Sequence, residues 1–416
     1  MRLTERALRM QGVEVETVTT DDDGPGAHNG KRCGVPLKER GVIRRYFAKR
    51  FEFYKVSPDL ARWVNRHAQD YELIHIHALF SFTSVAAAWA ARSAGVPYVV
   101  RPLGTLNRYG VEKRRPWLKW LSLKFIEGPI LRHAAAVHFT AEAERIEAAA
   151  LGIPMRSVVI PLGVEAAGFD RGEDTEPTRD VVGGARSGRM GLVESNPFLA
   201  QYPHLADTRI VLYLSRLDPK KNVEGLLKAF SLLLKSETAN PSSTLGRAVS
   251  ENKIAHIEAN DLMLVIAGEG TPAYVASLRK LASQLGLDRH VLWAGQVGGG
   301  VKAGAFAAAR VFALPSYSEN FGIAAAEALL AGLPCVLGKG VALADDVASA
   351  GAGLAVSPEP EAIARALCEL LGDEGRRLEM SRCAAVLAKE RYSLVAMGER
   401  LYALYHGILS KEPIEH

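Results

Sequence analysis

No stretch of this 416-residue chain is apolar for long enough to cross a membrane. The most apolar window, Ala78 to Val100, is broken by Arg92, Gly95 and Pro97, whereas a spanning helix needs about 20 consecutive apolar residues. Residues Met1 to Gly12 are charged and lack the apolar segment of a signal peptide. Cysteine is scarce. Cys33, Cys335, Cys368 and Cys383 have neither paired metal spacing nor the density of a secreted disulfide scaffold, so a reducing cytosol is the expected compartment. An excess of one charge is missing too: 51 Lys and Arg stand against 46 Asp and Glu. That balance gives no reason to expect nucleic acid, and no motif for it is present. Internal repeats are absent as well.

What remains is an ordinary α/β composition, 48% hydrophobic and 23% charged, in a chain long enough for two large domains. Thr4 to Gln11 reads as a short helix ending at Gly12, followed by a strand over Val13 to Val18. Leu73 to Ile76, Tyr98 to Val100, Ala135 to Phe139 and Ser157 to Ile160 are further short apolar runs. Ser84 to Ser93 is an Ala-rich helical stretch closed by Gly95. Later strands begin near Ile210, Leu262, Val291, Val311 and Pro334, each followed by a helical segment. This alternation predicts parallel, doubly wound sheets. Residues 168–207 lose all periodicity and read as a linker between a domain over 1–167 and one over 208–393. A polar stretch, Glu237 to Asn260, reads as an inserted surface loop.

Two segments carry chemistry. Val311 to Leu314 is a buried strand; a small-residue helix opens near Gly322, and Glu319 and Glu327 flank the turn between them. Backbone N–H groups at a helix start favour an anion, and a carboxylate beside them can grip sugar hydroxyls. The second segment, Ile210 to Asn222, is a strand delivering Arg216 and Lys221 into a loop, with Asn222 placed to cap the next helix. At the carboxyl end of a parallel strand those cations would face the crevice where open α/β sheets bind ligands.

Together these segments resemble the donor-binding half of family 4 glycosyltransferases, retaining enzymes of the GT-B fold. The family pattern is Gly-Arg-Leu, three residues, Lys-Gly, and later Glu, seven residues, Glu. Here Ser215 and Asn222 replace the two glycines, while Arg216, Lys221, Glu319 and Glu327 match. The resemblance implies two Rossmann-like doubly wound domains facing a cleft, with the last helix (about Leu394 to Leu409, within a returning segment 394–416) crossing back onto the first. It implies donor binding in the second domain and acceptor binding mainly in the first.

Arg216 and Lys221 suit the diphosphate of a nucleotide sugar, one as a planar fork and the other as a flexible point charge. With both present no metal is expected, and no cofactor beyond the nucleotide sugar as co-substrate. The resemblance assigns the ribose hydroxyls to Glu327 and a place near the sugar ring to Glu319. It places the backbone of Asn320, Phe321, Gly322 and Ile323 near sugar and phosphate. Gly268, Gly270 and Val297 follow strands and are candidates for contact with the base. No second carboxylate pair is placed for a two-step glycosidase-type reaction, and the family is thought to retain configuration by front-face attack.

In the first domain His75 and His77 share one strand face. The expectation is one in the core and His77 at the cleft edge rather than a metal site, since no third ligand has matching spacing. Arg101 to Tyr109 aligns with the family's Pro-His-Gly loop, but Leu103 holds the His position, leaving Arg101, Thr105 and Asn107 as candidate acceptor-side groups. Asp21 to Asp23 reads as a solvated loop. Two basic, aromatic stretches, Lys38 to Lys55 and Lys113 to Phe125, fit either a helix packed on the domain or peripheral contact with an anionic membrane face. Family members begin with a strand and a Gly-rich loop, whereas this chain begins in the first helix. In a doubly wound sheet that strand is central, and each buried backbone group left unpaired costs about 1–3 kcal/mol. The expectation is a start upstream of Met1, or an unstable or inactive form.

The function expected is transfer of a sugar from a UDP- or GDP-sugar to a glycan or lipid-linked acceptor in cell-surface or exopolysaccharide assembly. The enzyme would be cytoplasmic, at the inner face of the membrane. The alternatives are a catalytically inactive donor-binding or scaffolding subunit and a same-fold sugar-nucleotide epimerase.

Overall fold

The computed structural model describes residues 1–24, 26–106, 116–165, 195–238 and 261–410. The chain divides into two compact units, Met1–Gly163 with Leu394–His416, and Val164–Ser393. Lys113, Arg114, Arg115 and most of the segment read as an insertion lie outside the described residues.

The first unit holds two sheets. One has the order β1-β3-β2, built from β1 (Glu16–Thr20), β2 (Pro36–Glu39) and β3 (Val42–Phe47). The other has the order β4-β5-β6-β7, from β4 (Ile74–His77), β5 (Tyr98–Arg101), β6 (Ala136–Phe139) and β7 (Ser157–Val159), all parallel. Helix α1 (Arg2–Met10) packs with the last helix of the chain, α8 (Leu394–Ser410), through Ala7 and Leu8 against Met397, Leu401 and Tyr405. Helices α2 (Pro58–His67) and α3 (Phe82–Ala94) bury Leu60, Val64 and Ala90 with Phe47. Ser57 accepts from the Leu60 N–H to start α2, and Gly95 ends α3 in the left-handed region.

Three expectations are corrected here. The first strand begins three residues later than read, at Glu16, because Gly12 to Val15 belong to the turn out of α1. Lys38 to Lys55 is no α-helix: it holds the end of β2 and all of β3, with a short turn at Phe53–Lys55. Arg44 pairs with Glu5 and Glu39, Arg45 with Glu16, and Lys49 with Asp22 and Glu52, whereas Lys38, Arg40, Arg50, Phe51 and Phe53 are exposed. Asp21 is buried rather than solvated, accepting from the Lys49 backbone N–H at 2.7 Å.

Helix α4 (Pro116–Ser122) belongs to the second basic stretch. Trp117, Trp120 and Phe125 are exposed there, with Lys124 over the last two rings.

The second unit is a single parallel sheet with the order β10-β9-β8-β11-β12-β13. Its strands are β8 (Arg209–Leu214), β9 (Leu262–Ala267), β10 (Val291–Gly295), β11 (Ala309–Leu314), β12 (Cys335–Gly338) and β13 (Gly353–Val356). They are near-continuous apolar runs, as a sheet covered on both faces requires. β9 is buried at every residue. The chain winds outward from β8 to β10, then returns to lay β11 beside β8 and winds the other way. That reversal is a topological switch point, and it falls between β8 and β11.

Candidate active site

Both motifs leave the sheet at that switch point. Beyond β8 the chain runs through Ser215 and Arg216 into a 3-10 turn, Pro219–Lys221, before helix α5 (Val223–Thr238). Asp218 starts the turn by accepting from the Lys220 N–H at 3.0 Å. Asn222 adopts a left-handed conformation, and its side-chain oxygen accepts from the Gly225 N–H at 3.2 Å, capping α5. Its amide nitrogen donates to the carbonyls of Pro315 and Pro358, locking this loop to the one beyond β11. A second tie, Tyr317 N–H to the Lys220 carbonyl at 2.9 Å, joins the same two loops.

Arg216 is exposed and its side chain is free to meet a ligand's phosphates. Lys221 is buried, and its ammonium meets the carboxylate of Glu319. Burial, and then repulsion from Arg216, draw the Lys221 pKa down to about 8. Glu319 is held from both sides of its backbone: its N–H donates to Gly340 and its carbonyl accepts from Ala342. Gly322, at φ 92°, turns the chain into α7 (Ile323–Leu330), whose first turn has no side-chain cap. Glu327 lies in the second turn of α7 and pairs with Lys302 at 2.6 Å, from helix α6 (Gly299–Ala308). The switch point therefore presents one exposed cation, one buried ion pair and one half-buried ion pair. An anion bound here would meet the exposed Arg216 and compete with Glu319 for Lys221.

Other predicted residues fall out differently. Phe321 is buried, its ring edge-on to Tyr392, so only its backbone can serve a ligand. Asn320 and Ile323 are exposed and Val297 is half-buried. Gly268 and Gly270 are explained by their own chain. A Cβ on Gly268 would lie 1.9 Å from the Ser215 carbonyl oxygen, and one on Gly270 would lie 2.3 Å from that of Leu217. The close backbone approach is to the loop carrying Arg216, which those glycines allow to pack flat. Lys302 was missed by sequence reasoning, because nothing local marks a lysine in an Ala- and Gly-rich helix.

In the first unit His75 and His77 do not separate into a core residue and an edge residue. Both are half-buried, their rings stack at 4.3 Å, and His75 shares a 2.6 Å hydrogen bond with Tyr405. Burial keeps both neutral, His75 further discouraged from charging by its neighbour His77 and His77 by Arg101. Arg101 is buried beside Thr4 rather than offered to an acceptor. Thr105 donates to the Pro102 carbonyl, closing its own turn, and Asn107 lies outside the described residues. Among the described residues no cluster of His, Cys, Asp and Glu could hold a metal ion, and no helix is long and apolar enough to cross a membrane.

Residues 197–385 match the family model described as glycosyl transferases group 1, and residues 1–163 match the one described as glycosyl transferase 4-like domain. The chain belongs to the family 4 glycosyltransferases and has their GT-B fold of two Rossmann-like domains. Among curated relatives, a D-inositol 3-phosphate glycosyltransferase of Corynebacterium glutamicum is 26% identical over 211 residues, covering 50% of this chain and 46% of that protein. An uncharacterized glycosyltransferase of Methanocaldococcus jannaschii is 29% identical over 188 residues, 45% of this chain and 42% of that one. The chain thus spans about half the length of the curated relatives it matches. Among solved structures, the sucrose-phosphate synthase of Thermosynechococcus elongatus superposes with a TM-score of 0.67 at 20% identity, covering 99% of this chain and 92% of that one. HepE of Anabaena, solved with UDP-glucose, gives 0.63 at 18% identity, covering 95% and 99%. At these identities the likeness is one of fold.

Proposed function

We propose that the chain is a retaining glycosyltransferase that moves a sugar from a UDP- or GDP-sugar to a glycan or lipid-linked acceptor. The observation that carries this reading is the convergence of Arg216, Lys221, Glu319 and Glu327 on adjacent strand ends at one switch point. Solved relatives in fold include one holding UDP-glucose. Arg216 and Lys221 neutralise the diphosphate as the bond from the anomeric carbon to its oxygen breaks, favouring the transition state over the ground state. The acceptor oxygen bonds the anomeric carbon on the same face, and its proton passes to the departing phosphate. Glu327 holds the ribose and Glu319 positions Lys221. The two cations supply the charge that a divalent ion would, so chelation by EDTA should leave the rate unchanged.

Titration calorimetry of UDP, GDP and ADP into the chain and into Arg216→Ala tests the reading. Selective binding of UDP or GDP, weakened by the substitution, supports it; no binding, or binding that ignores Arg216, refutes it. A second reading, a donor-binding subunit without turnover, draws support from the divided sheet of the first unit. Nucleotide affinity with no sugar transfer would favour it. We place the acceptor at the inner face of the cytoplasmic membrane in surface-polysaccharide assembly. The exposed Trp117, Trp120 and Phe125 beside Lys124 suit an anionic interface. Serine at all three aromatic positions should weaken binding to anionic vesicles and leave nucleotide affinity intact.

A further inference from the structure

Helices α6 and α7 flank β11 along the chain, and each carries a single charged side chain. In α6 it is Lys302, set among Gly299, Gly300, Val301 and Ala303; in α7 it is Glu327, between Ala326 and Ala328. The two meet, Lys302 Nζ donating to Glu327 Oε1 at 2.6 Å. Their side chains are 23% and 15% exposed, so the pair escapes much of the solvent screening that leaves surface pairs worth little. Neither group makes another side-chain hydrogen bond among the described residues. The terminal torsion of a glutamate has a broad, shallow profile, and among the described residues only Lys302 fixes it here.

Both partners stand on firm supports. The short helix Pro197–Gln201 packs against α6, and the Asn196 side-chain amide donates to the Gly304 carbonyl at 3.1 Å. A Cβ on Gly304 would lie 2.2 Å from the Asn196 side-chain oxygen, so only glycine lets α6 sit this close. On the other side Ala325, Ala326, Ala328 and Leu329 are buried and fix α7 around Glu327. A carboxylate gripped at Oε1 by a fixed cation presents Oε2 in one orientation. Binding of vicinal hydroxyls needs that, because a recognition group must be held to within about 10–20° of its productive direction.

We propose that Lys302 is a positioning residue: by holding Glu327 in one orientation it sets the preference of the donor site for a ribonucleotide over a 2′-deoxyribonucleotide. The inference rests on the reading that Glu327 takes the ribose hydroxyls. Two consequences follow from the pair. The carboxylate is aimed before the nucleotide arrives, so it loses no orientational freedom on binding. Its charge is also compensated, so it does not repel the diphosphate of the same ligand. Lys302 acts on the ribose through Glu327 alone. A purely structural tie between α6 and α7 would alter stability without altering the choice of sugar.

Calorimetric titration of UDP and 2′-deoxy-UDP, with GDP and 2′-deoxy-GDP in parallel, into the whole chain, Lys302→Met and Lys302→Arg tests this. A hydrogen bond to a charged acceptor is worth about tenfold or more in affinity, so the wild type should prefer the ribonucleotide by at least about tenfold. In Lys302→Met that preference should fall below about threefold. In Lys302→Arg, which keeps a cation beside Glu327, most of it should return. Should the Met variant fail to fold, Lys302→Gln serves in its place with the same expected loss. A lowered Tm with an undiminished preference makes the pair a structural tie and overturns the proposal. Nucleotide binding by the wild type with no preference for ribose overturns it together with the ribose role of Glu327. No nucleotide binding at all overturns the donor site as a whole.

Discussion

Replacing His138 with glutamine isolates a stability term that the first unit carries between pH 7 and pH 5. His138 is fully buried in β6, with Nε2 donating to the Ile160 carbonyl at 2.8 Å and no partner at Nδ1. Burial, and then the nearby Arg101 charge, lower its pKa to about 3. In the unfolded chain the imidazole titrates near 6.5. Between those values the unfolded state binds the extra proton, so stability falls as pH falls from about 6.5 and is fully lost only below about 3. Integrating from pH 7 to pH 5 gives a loss of about 2 kcal/mol from this one group. His75 and His77 are shifted the same way and add to the loss, while Glu127, its pKa raised by burial, opposes it by taking up a proton in the folded state. Glutamine keeps an N–H for the Ile160 carbonyl and does not titrate. The wild type should therefore lose about 2 kcal/mol more than His138→Gln over this range. The assay is urea unfolding followed by tryptophan fluorescence, which reports mainly on the first unit because Trp63, Trp89, Trp117 and Trp120 lie there and only Trp293 does not. At an m-value of about 2 kcal/mol/M the difference is about 1 M in midpoint. Parallel pH profiles for the two proteins would show that His138 titrates alike in both states, refuting the argument.

The site makes further predictions. On the proposed function Glu327→Gln would weaken a carboxylate hold on the ribose diol worth about 1.5–3 kcal/mol, so UDP or GDP affinity should drop at least tenfold by calorimetry; no change would remove Glu327 from the donor site. Lys221→Met should lower kcat/KM by a factor of about 100 or more. With its pKa at about 8, Lys221 loses its charge as pH rises, so diphosphate affinity should decline above pH 8 in the wild type but not in Lys221→Arg. Gly268→Ala, at φ 145° and with its Cβ against the Ser215 carbonyl, should cost about 2–4 kcal/mol and lower Tm by about 5–10 °C; an unchanged Tm in calorimetric scans would show that the loop yields.

The second unit was legible because each of its strands is apolar throughout and each loop carries its own punctuation. Asn222, Gly322 and Gly332 mark helix boundaries by residue type alone, and the chain order of the strands already implies the switch point. The pairing of Lys221 with Glu319 was not legible. It depends on β8 and β11 becoming neighbours although 98 positions separate the two side chains. Lys302 was hidden for the same reason, its partner Glu327 being 25 residues away on another helix. In the first unit the strands β2 and β3 were masked by charge. Arg44 and Arg45 look like a solvated basic face until Glu5, Glu16 and Glu39 arrive from other elements to pair with them. His75 and His77 were placed on one strand face correctly, but period two alone cannot say that α8 and Tyr405 cover that face.

The return of α8 to the first unit constrains the order in which the polypeptide can mature during synthesis. Five of the ten buried residues in the cluster beneath α1, Leu394, Met397, Leu401, Leu404 and Tyr405, are among the last to be made. At about 10 residues per second, some 20 seconds of translation separate Gly163 from Leu394. By the end of that interval the contiguous second unit has been made whole, while Ala7, Leu8, Val99 and Ile160 still lack half their apolar cover. A nascent chain stalled before Leu394 would therefore offer a finished C-terminal unit and an N-terminal one open to chaperones.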